Sequence, residues 1–439
     1  MSDKFIKGLS RAAAAVSFGC VLAAGVAPAA AADVTITYSD WQLAQDIWGK
    51  SLKEAFAEFE KQNPGIKVAT EPVALAQRDV KFTTAIRAGA GPDVFALDMN
   101  PVKQYIAEGW VKDLTPFIEK EGGKKFLDDF YARSTGPLTE AGKTYGVPKN
   151  IVAMVLVYNE AMFKEAGIQK VPETWDDFRA AMKTLTKSTK AGGPVDQWGW
   201  TIVAAKAGFD LRFSVILRGF GGDFLTPDGK KSALDSPAAK EAFKYVVDMI
   251  QNDKTMPPGV AQVDANGARR MLANKQIAVK IGTTWSLPEV SGMNPALDGW
   301  KVLKMAHIPQ KTVDGSSVRS TLYQKSLFMN PNTKNPEAAW KLIKFMTEAK
   351  QMQRWFDDNN MLSARKSVNE TYKPIAESPF AVTVAKEIDR AAFLPLTPKW
   401  PEILETFRVN LQDAIAKSKS PEEALANAHN QVNAILARP

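Results

Sequence analysis

Residues Val34–Tyr38 read Val-Thr-Ile-Thr-Tyr, an alternation of β-branched and polar side chains that predicts a strand. Apolar side chains between residues 52 and 59 then recur at spacings of four and three, which is the period of one helix face. The helical pattern ends at the breaker cluster Asn63-Pro64-Gly65, and Ile66–Val68 begins a second strand. The chain therefore opens with a strand–helix–strand unit.

The same alternation continues to a third strand. Residues 79–88 have a helical pattern that Gly89-Ala90-Gly91-Pro92 stops, and Asp93–Leu97 is the next apolar, strand-like run. Helical patterns dominate residues 335–360 and 400–437 in the second half of the chain. Strands that alternate with helices predict an α/β fold with a mostly parallel sheet.

Length and composition limit the class of protein. The chain has 439 residues, 45% of them apolar and 24% charged, which is typical of a globular protein of two or three domains. Cys20 is the single cysteine, so the later chain has no thiol for catalysis, for a disulfide or for zinc. With only His307 and His429 as histidines, a histidine-rich metal site is not expected either. We predict neither a metal nor a cofactor.

The first 32 residues have the pattern of an export signal. Three basic residues precede an apolar run from Ala12 to Ala27, and Ala30-Ala31-Ala32 supplies small residues for cleavage. The run is shorter than the ~20 residues that span a membrane. We therefore expect cleavage after Ala32 and a periplasmic protein, with a lipoprotein anchored at Cys20 as the alternative.

Charge does not identify a partner. The formal net charge is +8 at pH 7, and it falls to +6 without residues 1–32. Acidic and basic residues are interspersed, without the basic stripe of a nucleic-acid-binding surface, so no nucleic-acid partner is predicted. A mild preference for an anionic ligand or surface stays open.

Motifs typical of enzymes are weak. Gly136–Thr144 is similar to a phosphate-binding loop, but it has five residues between its glycines instead of four, and Pro137 removes a backbone donor. Neither a Gly-x-Ser-x-Gly elbow nor a His-Glu-x-x-His motif occurs. Acidic pairs such as Asp128-Asp129 could serve glycoside hydrolysis only if the fold brought two carboxylates into a cleft. We predict no catalytic residue.

Tryptophans are the clearest positive signal. The chain has 11, and Trp41, Trp200 and Trp285 lie beside turns or strand ends. A flat indole ring can cover the apolar face of a sugar while polar side chains bind the sugar hydroxyls. Trp175, Trp340 and Trp355 lie in helical patterns that are more typical of a core. The tryptophans beside turns therefore favour a carbohydrate pocket.

Several longer motifs occur in the order of one known family. They are Phe59–Val68, Gly89–Val94, Gly109–Leu114, Gly142–Pro148, Tyr158–Glu160, Pro172–Trp175 and Asn335–Trp340. With them the chain resembles the extracellular solute-binding proteins of bacterial ABC importers, in the sugar-binding family that includes maltose-binding protein. The most specific motif is Gly142–Pro148 (Gly-Lys-Thr-Tyr-Gly-Val-Pro), and together the motifs span nearly the whole chain after residue 32.

The resemblance implies an α/β, two-lobed periplasmic-binding-protein fold of type II-like topology, with the ligand cleft between the lobes. After a signal peptide at 1–32, it predicts lobe I from residues 33–147 plus 315–372 and lobe II from residues 148–314 plus 373–439. The chain is expected to cross between the lobes near Tyr145–Asn150, Pro309–Arg319 and Lys373.

The resemblance also implies which side chains reach the ligand, because strand ends at the cleft supply the contacts in this family. Asp98 would bind sugar hydroxyls and Trp285 would stack on the sugar. The residues matched to family motifs are Trp41, Gln42, Asp98, Trp285 and Arg365. Those added from their neighbourhood alone are Arg78, Asn150, Trp200 and Arg319. Two departures from the family pattern, Ser363 in place of proline and Ser316 in place of a second glycine, concern Arg365 and Arg319.

The implied function is capture of a sugar, an oligosaccharide or a polyol by closure of the lobes, with delivery to an ABC permease by a monomer. One alternative keeps the fold but changes the cargo to an anionic sugar derivative, a phosphate or sulfonate, held by Arg78, Arg319 and Arg365. The other alternative is a secreted glycoside-active enzyme that would use Asp98 and a second acid.

Overall fold

The computed structural model describes residues 33–74, 77–206, 208–297, 299–311 and 318–438, apart from the side chain of Trp300. The predictions for the signal peptide at 1–32, its cleavage after Ala32, Cys20, Ser316 and the lobe limit at 314/315 lie outside the described residues. Among the helices of the described part, none has the length and apolar character that crossing a membrane requires.

The strands are short and spread along the whole chain. They are β1 (Val34–Asp40), β2 (Ile66–Pro72), β3 (Val94–Asp98), β4 (Thr139–Glu140), β5 (Lys143–Thr144), β6 (Gly146–Ala153), β7 (Val155–Asn159), β8 (Trp198–Trp200), β9 (Ile277–Gly282), β10 (Leu303–Ala306), β11 (Ser320–Met329) and β12 (Ala391–Ala392). The strands expected at 34–38, 66–68 and 93–97 are confirmed as β1, β2 and β3.

Helices occupy most of the remaining chain. They are α1 (Asp46–Gln62), α2 (Arg78–Arg87), α3 (Val102–Ala107), α4 (Thr115–Lys120), α5 (Lys124–Leu127), α6 (Ala132–Thr135), α7 (Glu160–Glu165), α8 (Trp175–Leu185), α9 (Phe209–Gly219), α10 (Pro237–Gln251), α11 (Ala265–Ala273), α12 (Ser286–Met293), α13 (Gly299–Val302), α14 (Pro336–Met346), α15 (Ala349–Asn359), α16 (Lys366–Thr371), α17 (Lys373–Ala376), α18 (Pro379–Ile388), α19 (Trp400–Ile415) and α20 (Pro421–Ala437).

The first sheet has the strand order β12-β11-β3-β1-β2, and β6 also pairs with β11. β1 runs parallel to β2 and β3, as a strand–helix–strand unit requires. β11 is antiparallel to β3 and β6, so the sheet is mixed. The prediction of a mostly parallel sheet is therefore wrong for the pairs that β11 forms with these two strands. The reason is that β11 returns from the second sheet instead of following a crossover helix.

The second sheet has the order β10-β7-β9-β8 and is also mixed. β7 is antiparallel to both β9 and β10, whereas β8 is parallel to β9. Buried side chains of both sheets share one hydrophobic core that includes Ile36 of β1 and Val157 of β7. A second, smaller core contains Phe95 and Leu97 of β3 and Phe328 of β11. The α/β class predicted from the sequence is confirmed.

The chain passes from one sheet to the other at well-defined places. β6 ends at Ala153 and β7 begins at Val155, so the first passage occurs at Met154. The sequence prediction puts residues 148–153 in lobe II, but they pair with β11 in the first sheet, because the β6–β11 ladder continues to Ala153. The second passage lies between β10 and β11. Beyond Lys373, β12 returns to the first sheet, whereas α19 and α20 pack on α10.

Candidate ligand-binding site

A buried lysine organises the polar side chains at the ends of the first-sheet strands. Lys325, in the middle of β11, is fully buried, and its Nζ lies 2.5 Å from Asp40 Oδ1. The ammonium group also donates to Gln42 Oε1 and lies 3.6 Å from the ring centroid of Trp41. Asp40 is the last residue of β1, so the sheet brings the end of β1 beside β11.

Both carboxylate oxygens of Asp40 accept hydrogen bonds from protein groups. The carboxylate accepts from Lys325, from the backbone N–H of Gln42 at 2.9 Å and from the hydroxyl of Tyr38 at 3.0 Å. Burial, followed by the charge of Asp40, raises the pKa of the Tyr38 hydroxyl well above its usual value, so Tyr38 remains a donor. The contacts also start the short 3₁₀ helix Trp41–Ala44.

A second buried ion pair joins α2 to the end of β3. The Nη1 of Arg78 lies 2.6 Å from Asp98 Oδ2, and its Nε lies 2.8 Å from Asp79 Oδ1. Burial alone would lower the pKa of Arg78, but the charges of Asp98 and Asp79 raise it above the ordinary value. The guanidinium also lies 4.8 Å from the ring centroid of Trp41, so this ring contacts two cations.

Strand β6 carries two polar residues, Lys149 and Asn150, in an otherwise apolar run. Asn150 Oδ1 accepts from the backbone N–H of Lys325 at 3.0 Å, whereas its Nδ2 has no hydrogen-bond partner among the described residues. The Nζ of Lys149 lies 4.1 Å from the ring centroid of Trp355 and 5.9 Å from that of Trp48, and it has no hydrogen-bond acceptor among the described residues. Burial lowers the pKa of Lys149 to about 8, against the charge of Asp40.

The second sheet contributes the segment between β9 and α12. The ring of Trp285 packs edge-on against Tyr323 of β11, with the centroids 5.0 Å apart. Thr283, Thr284 and Trp285 are all buried, and their side-chain polar atoms have no partner among the described residues. Because β11 belongs to the first sheet, this aromatic pair spans the two halves of the molecule.

Two further contacts join the two halves beside this pair. Asn100, just after β3, donates to Asp210 of α9, and the Nδ2 of Asn360 donates to the carbonyl of Thr284 at 3.0 Å. Burial, followed by the charge of Asp98, raises the pKa of Asp210. The two halves therefore meet through polar groups that could exchange partners with a ligand.

More cations lie on the second-sheet side. Lys280 of β9 is buried and donates to Ser286 at 3.0 Å, and Arg269 pairs with Glu289. Arg212 is buried near them; burial and the charge of Arg269 lower its pKa to about 10.

The structure brings together six of the nine residues predicted for the site. Five of them either contact Lys325 or Arg78 or are one of these residues. The sixth, Trp285, contacts the ring of Tyr323, which lies on the same strand as Lys325. The five are Trp41, Gln42, Arg78, Asp98 and Asn150.

The other three predicted residues lie in different surroundings. Trp200 is fully buried at the end of β8, where its ring packs edge-on against Phe178 at 5.0 Å. Arg319 is bound to Glu387, with its Nε 3.0 Å from Oε1. Arg365 donates to the carbonyl of Thr347 at 2.7 Å and to Asp129 at 3.0 Å. Arg78, Arg319 and Arg365 thus bind three separate sets of carboxylates and do not form one anion site.

The sequence predictions missed the residues at the centre of this site. Neither the motifs nor the spacing gives a site role to Asp40, Lys149, Tyr323 or Lys325. The available signal was polarity inside apolar strands: Lys149-Asn150 precedes the run Ile151–Tyr158, and Lys325 lies between Leu322 and Leu327. A charged residue in the middle of a buried strand requires a partner or a function.

Comparison with known proteins identifies the family. The model of the bacterial extracellular solute-binding protein family matches residues 45–353. The chain belongs to this family. The resemblance drawn from the motifs is therefore confirmed, as is the two-lobed periplasmic-binding-protein fold.

Individual relatives bind different carbohydrates. The diacetylchitobiose-binding protein DasA of Streptomyces coelicolor is 25% identical over 415 residues, which cover 91% of this chain and 87% of the relative. The erythritol/L-threitol-binding protein of Mycolicibacterium smegmatis is 25% identical over 399 residues, covering 83% of this chain and 81% of the relative. The ABC-transporter solute-binding protein of Thermotoga lettingae, solved with α-D-tagatose, is 26% identical with a TM-score of 0.81, covering 92% of this chain and all of that one.

The family and these relatives consist of binding proteins and not of enzymes. In the part of the chain that the structure describes, no group of three or more His, Cys, Asp or Glu side chains is arranged to hold a metal ion.

Proposed function

We propose that this protein captures a sugar, an oligosaccharide or a polyol between its two lobes and delivers it to the permease of an ABC importer. The observation that carries the proposal is the surplus of buried hydrogen-bonding groups where the two halves meet, in Asn150, Thr283, Thr284 and Trp285. A polyhydroxylated ligand supplies both donors and acceptors, so its hydroxyl groups can satisfy such a mixed set. The carbohydrates bound by the relatives support the same class of ligand.

The ligand would enter by separation of the two halves and would hold them together once bound. The contacts Trp285–Tyr323, Asn100–Asp210 and Asn360–Thr284 would open on entry. A ligand that contacts both sides stabilises the closed state in proportion to its preference for that state. The permease would recognise this closed form, and no covalent step is needed.

We assign the ligand contacts to Trp41, Gln42, Asp98, Asn150 and Trp285. Of these, Asp98 and Gln42 offer acceptor oxygens close to buried cations, and Trp285 offers an aromatic ring. Met154 and the segment between β10 and β11 are the proposed hinge points, because each joins the two sheets. Export to the periplasm by a signal at residues 1–32 belongs to the same proposal.

A thermal-shift screen of the purified protein tests the function. Neutral sugars from mono- to trisaccharides, polyols, sugar acids, sugar phosphates and sugar sulfonates are offered singly. A ligand at 100 times its Kd is expected to add about 2.7 kcal/mol to the free energy of unfolding. Trp285→Leu should weaken binding of the ligand found, whereas Trp198→Leu, in the edge strand β8, should leave binding unchanged. If no member of the panel, neutral or acidic, raised the melting temperature, the carbohydrate function would be wrong.

The same samples distinguish binding from catalysis. A binding protein takes up one equivalent of an oligosaccharide and releases it unchanged. Sustained release of shorter products by the purified protein would contradict the proposal and favour a glycoside-active enzyme.

A further inference from the structure

Lys149 occupies an irregular position in β6. In the ladder between β6 and β11, Pro148 pairs with Ser326 and Asn150 pairs with Lys325, so Lys149 has no partner residue on β11. This is a β-bulge with one extra residue. Bulges redirect a side chain relative to a regular strand and are frequent beside functional sites.

The surroundings of Lys149 hold the side chain without neutralising it. The residue is fully buried, and its ammonium group faces the rings of Trp355 and Trp48, at 4.1 Å and 5.9 Å from their centroids. The rings attract the cation, but they cannot accept a strong hydrogen bond. No acceptor for the Nζ exists among the described residues.

The nearby carboxylates already have their own cations. Asp40, whose charge acts on Lys149, binds Lys325, the N–H of Gln42 and the hydroxyl of Tyr38. Asp98 binds Arg78. On the first-sheet side of the site, Lys149 is therefore the cation without a carboxylate partner. A fully buried charge of this kind destabilises the protein unless a bound group of opposite charge pairs with it.

Other polar groups without partners belong to the residue after Lys149 and to α15, the helix that supplies Trp355. Asn150 follows it directly in β6, and the Nδ2 of Asn150 has no partner. Asn359 lies one helical turn after Trp355 in α15, and both polar atoms of its amide lack partners among the described residues. The next residue, Asn360, is bonded to Thr284, whose own hydroxyl is unpaired. These neutral groups can bind oxygen atoms but add no further positive charge.

We infer that the cargo carries one carboxylate group and that Lys149 binds it, so that the ligand is an acidic sugar or polyol such as an aldonate or a uronate. The inference rests on the proposed function and specifies its ligand. A carboxylate matches the single free charge of Lys149, and its two oxygens can also accept from Asn150 and Asn359. A phosphate, with a charge between −1.5 and −2 near neutral pH, would require a second free cation at the same place. The rest of the ligand would present hydroxyl groups to Gln42, Asp98 and the threonines.

Matched pairs of probes test this inference on the purified protein. D-gluconate is compared with D-glucitol, and D-galacturonate with D-galactose, together with the other four- to six-carbon aldonates and uronates and their neutral partners. Thermal shift finds the pair that binds, and isothermal titration calorimetry gives both affinities. The acid is expected to bind about 10–100-fold more tightly than its neutral partner, as charge-assisted hydrogen bonds allow.

Substitution then assigns the preference to one residue. Lys149→Met should remove the preference for the acid, so that the acid and its neutral partner bind within about threefold of each other. Lys53→Met, at an exposed lysine of α1, is the control and should change neither affinity. Retention of the preference by Lys149→Met would overturn the assignment to Lys149.

The wild-type protein decides the question even if Lys149→Met does not fold. Equal or tighter binding of the neutral partner would overturn the inference and leave the proposed function in place. Sugar phosphates and sugar sulfonates are measured alongside these pairs, and binding confined to them would also overturn the inference. The absence of binding across all neutral and acidic members would overturn the proposed function and the inference together.

Discussion

Two clusters of buried charge lie where the two sheets meet, and they differ in the completeness of their hydrogen bonds. The hinge cluster consists of the buried residues Arg319, Glu387 and Gln310, with the exposed His307 at its edge. Glu387 is fully buried and binds Arg319 through both oxygens, at 3.0 and 3.2 Å, while His307 Nδ1 lies 2.6 Å from its Oε2. The third donor of Arg319, Nη1, is bound to Gln310 at 3.2 Å.

The site cluster consists of Asp40, Lys325, Lys149 and Asn150. Asp40 and Lys325 are satisfied in the same way as the hinge cluster, but Lys149 Nζ and Asn150 Nδ2 are not. A complete buried network holds a structure in one arrangement, whereas an incomplete one keeps groups available for a ligand. Arg319, which the sequence predicts for the site, has all its partners in the hinge cluster and is not available to a ligand. Lys149, which the sequence does not predict, has no acceptor and is the better candidate for a ligand contact.

The hinge cluster should be the more sensitive to substitution. Glu387→Ala removes the carboxylate and leaves Arg319 buried without its anion, so the free energy of unfolding should fall by about 3–5 kcal/mol. Urea denaturation measures the change, with Glu377→Ala, an exposed position at the end of α17, as the control. A loss below about 1 kcal/mol would mean that Glu387 does not hold the hinge.

Substitution in the Asp40–Lys325 pair of the site cluster should also lower the free energy of unfolding. Lys325→Met leaves the buried carboxylate of Asp40 without the cation that is hydrogen-bonded to it, which should cost about 2–4 kcal/mol and weaken the binding of every ligand. The double variant Asp40→Asn/Lys325→Met should recover part of the stability, because it removes both charges. Equal stability of the single and double variants in urea would contradict this pairing.

The unpaired lysine should respond in the opposite direction. Lys149→Met removes a buried ammonium that has no acceptor and replaces it with an apolar chain between Trp48 and Trp355. We expect the ligand-free protein to become more stable by about 1–2 kcal/mol at pH 7. A destabilisation as large as that of Lys325→Met would show that Lys149 belongs to the structural network.

A pH series is expected to give the smallest change in the free energy of unfolding. The pKa of Lys149 is about 8 in the folded protein, with Asp40 and Lys325 as the charges facing it, and an unfolded lysine titrates near 10.4. Between these values the unfolded chain binds more protons, so stability should rise with pH, by at most about 1.4 kcal/mol per unit.

The difference between wild type and Lys149→Met isolates this contribution, since other buried cations titrate in both proteins. The affinity for an acidic ligand should change in the opposite direction and fall as the pH rises above 8, because Lys149 loses its charge. A wild-type affinity for the acid that stays constant from pH 7 to pH 10 would contradict the role given to the ammonium group.

Local patterns were sufficient for the elements near the start of the chain. The alternation in Val34–Tyr38, the four-and-three spacing from residue 52 and the break at Asn63-Pro64-Gly65 correctly predicted β1, α1 and β2. These signals depend on residues within one element, and periodicity reports them directly. The family followed from motifs of the same local kind.

Positions within the site were less predictable. Trp200 follows a glycine near a strand end, like a ligand-stacking residue, yet it is core because Phe178 of α8 covers its ring. Arg365 lies in a family-like motif, yet Asp129 and the carbonyl of Thr347 bind it. In both cases the deciding partner lies on another element, so no local pattern could reveal it.

The sequence by itself determined the α/β class, the first strand–helix–strand unit, the family and the presence of tryptophans beside strand ends, because all of these are encoded over short distances. Only the tertiary structure decided which charges are satisfied. Lys325 binds Asp40, which is 285 residues away in the sequence, and Asn150, which is 175 residues away. A one-residue bulge places the side chain of Lys149 beside Trp48 and Trp355. Burial is the reason that these contacts matter, because a charge removed from water needs a partner either within the fold or in a ligand.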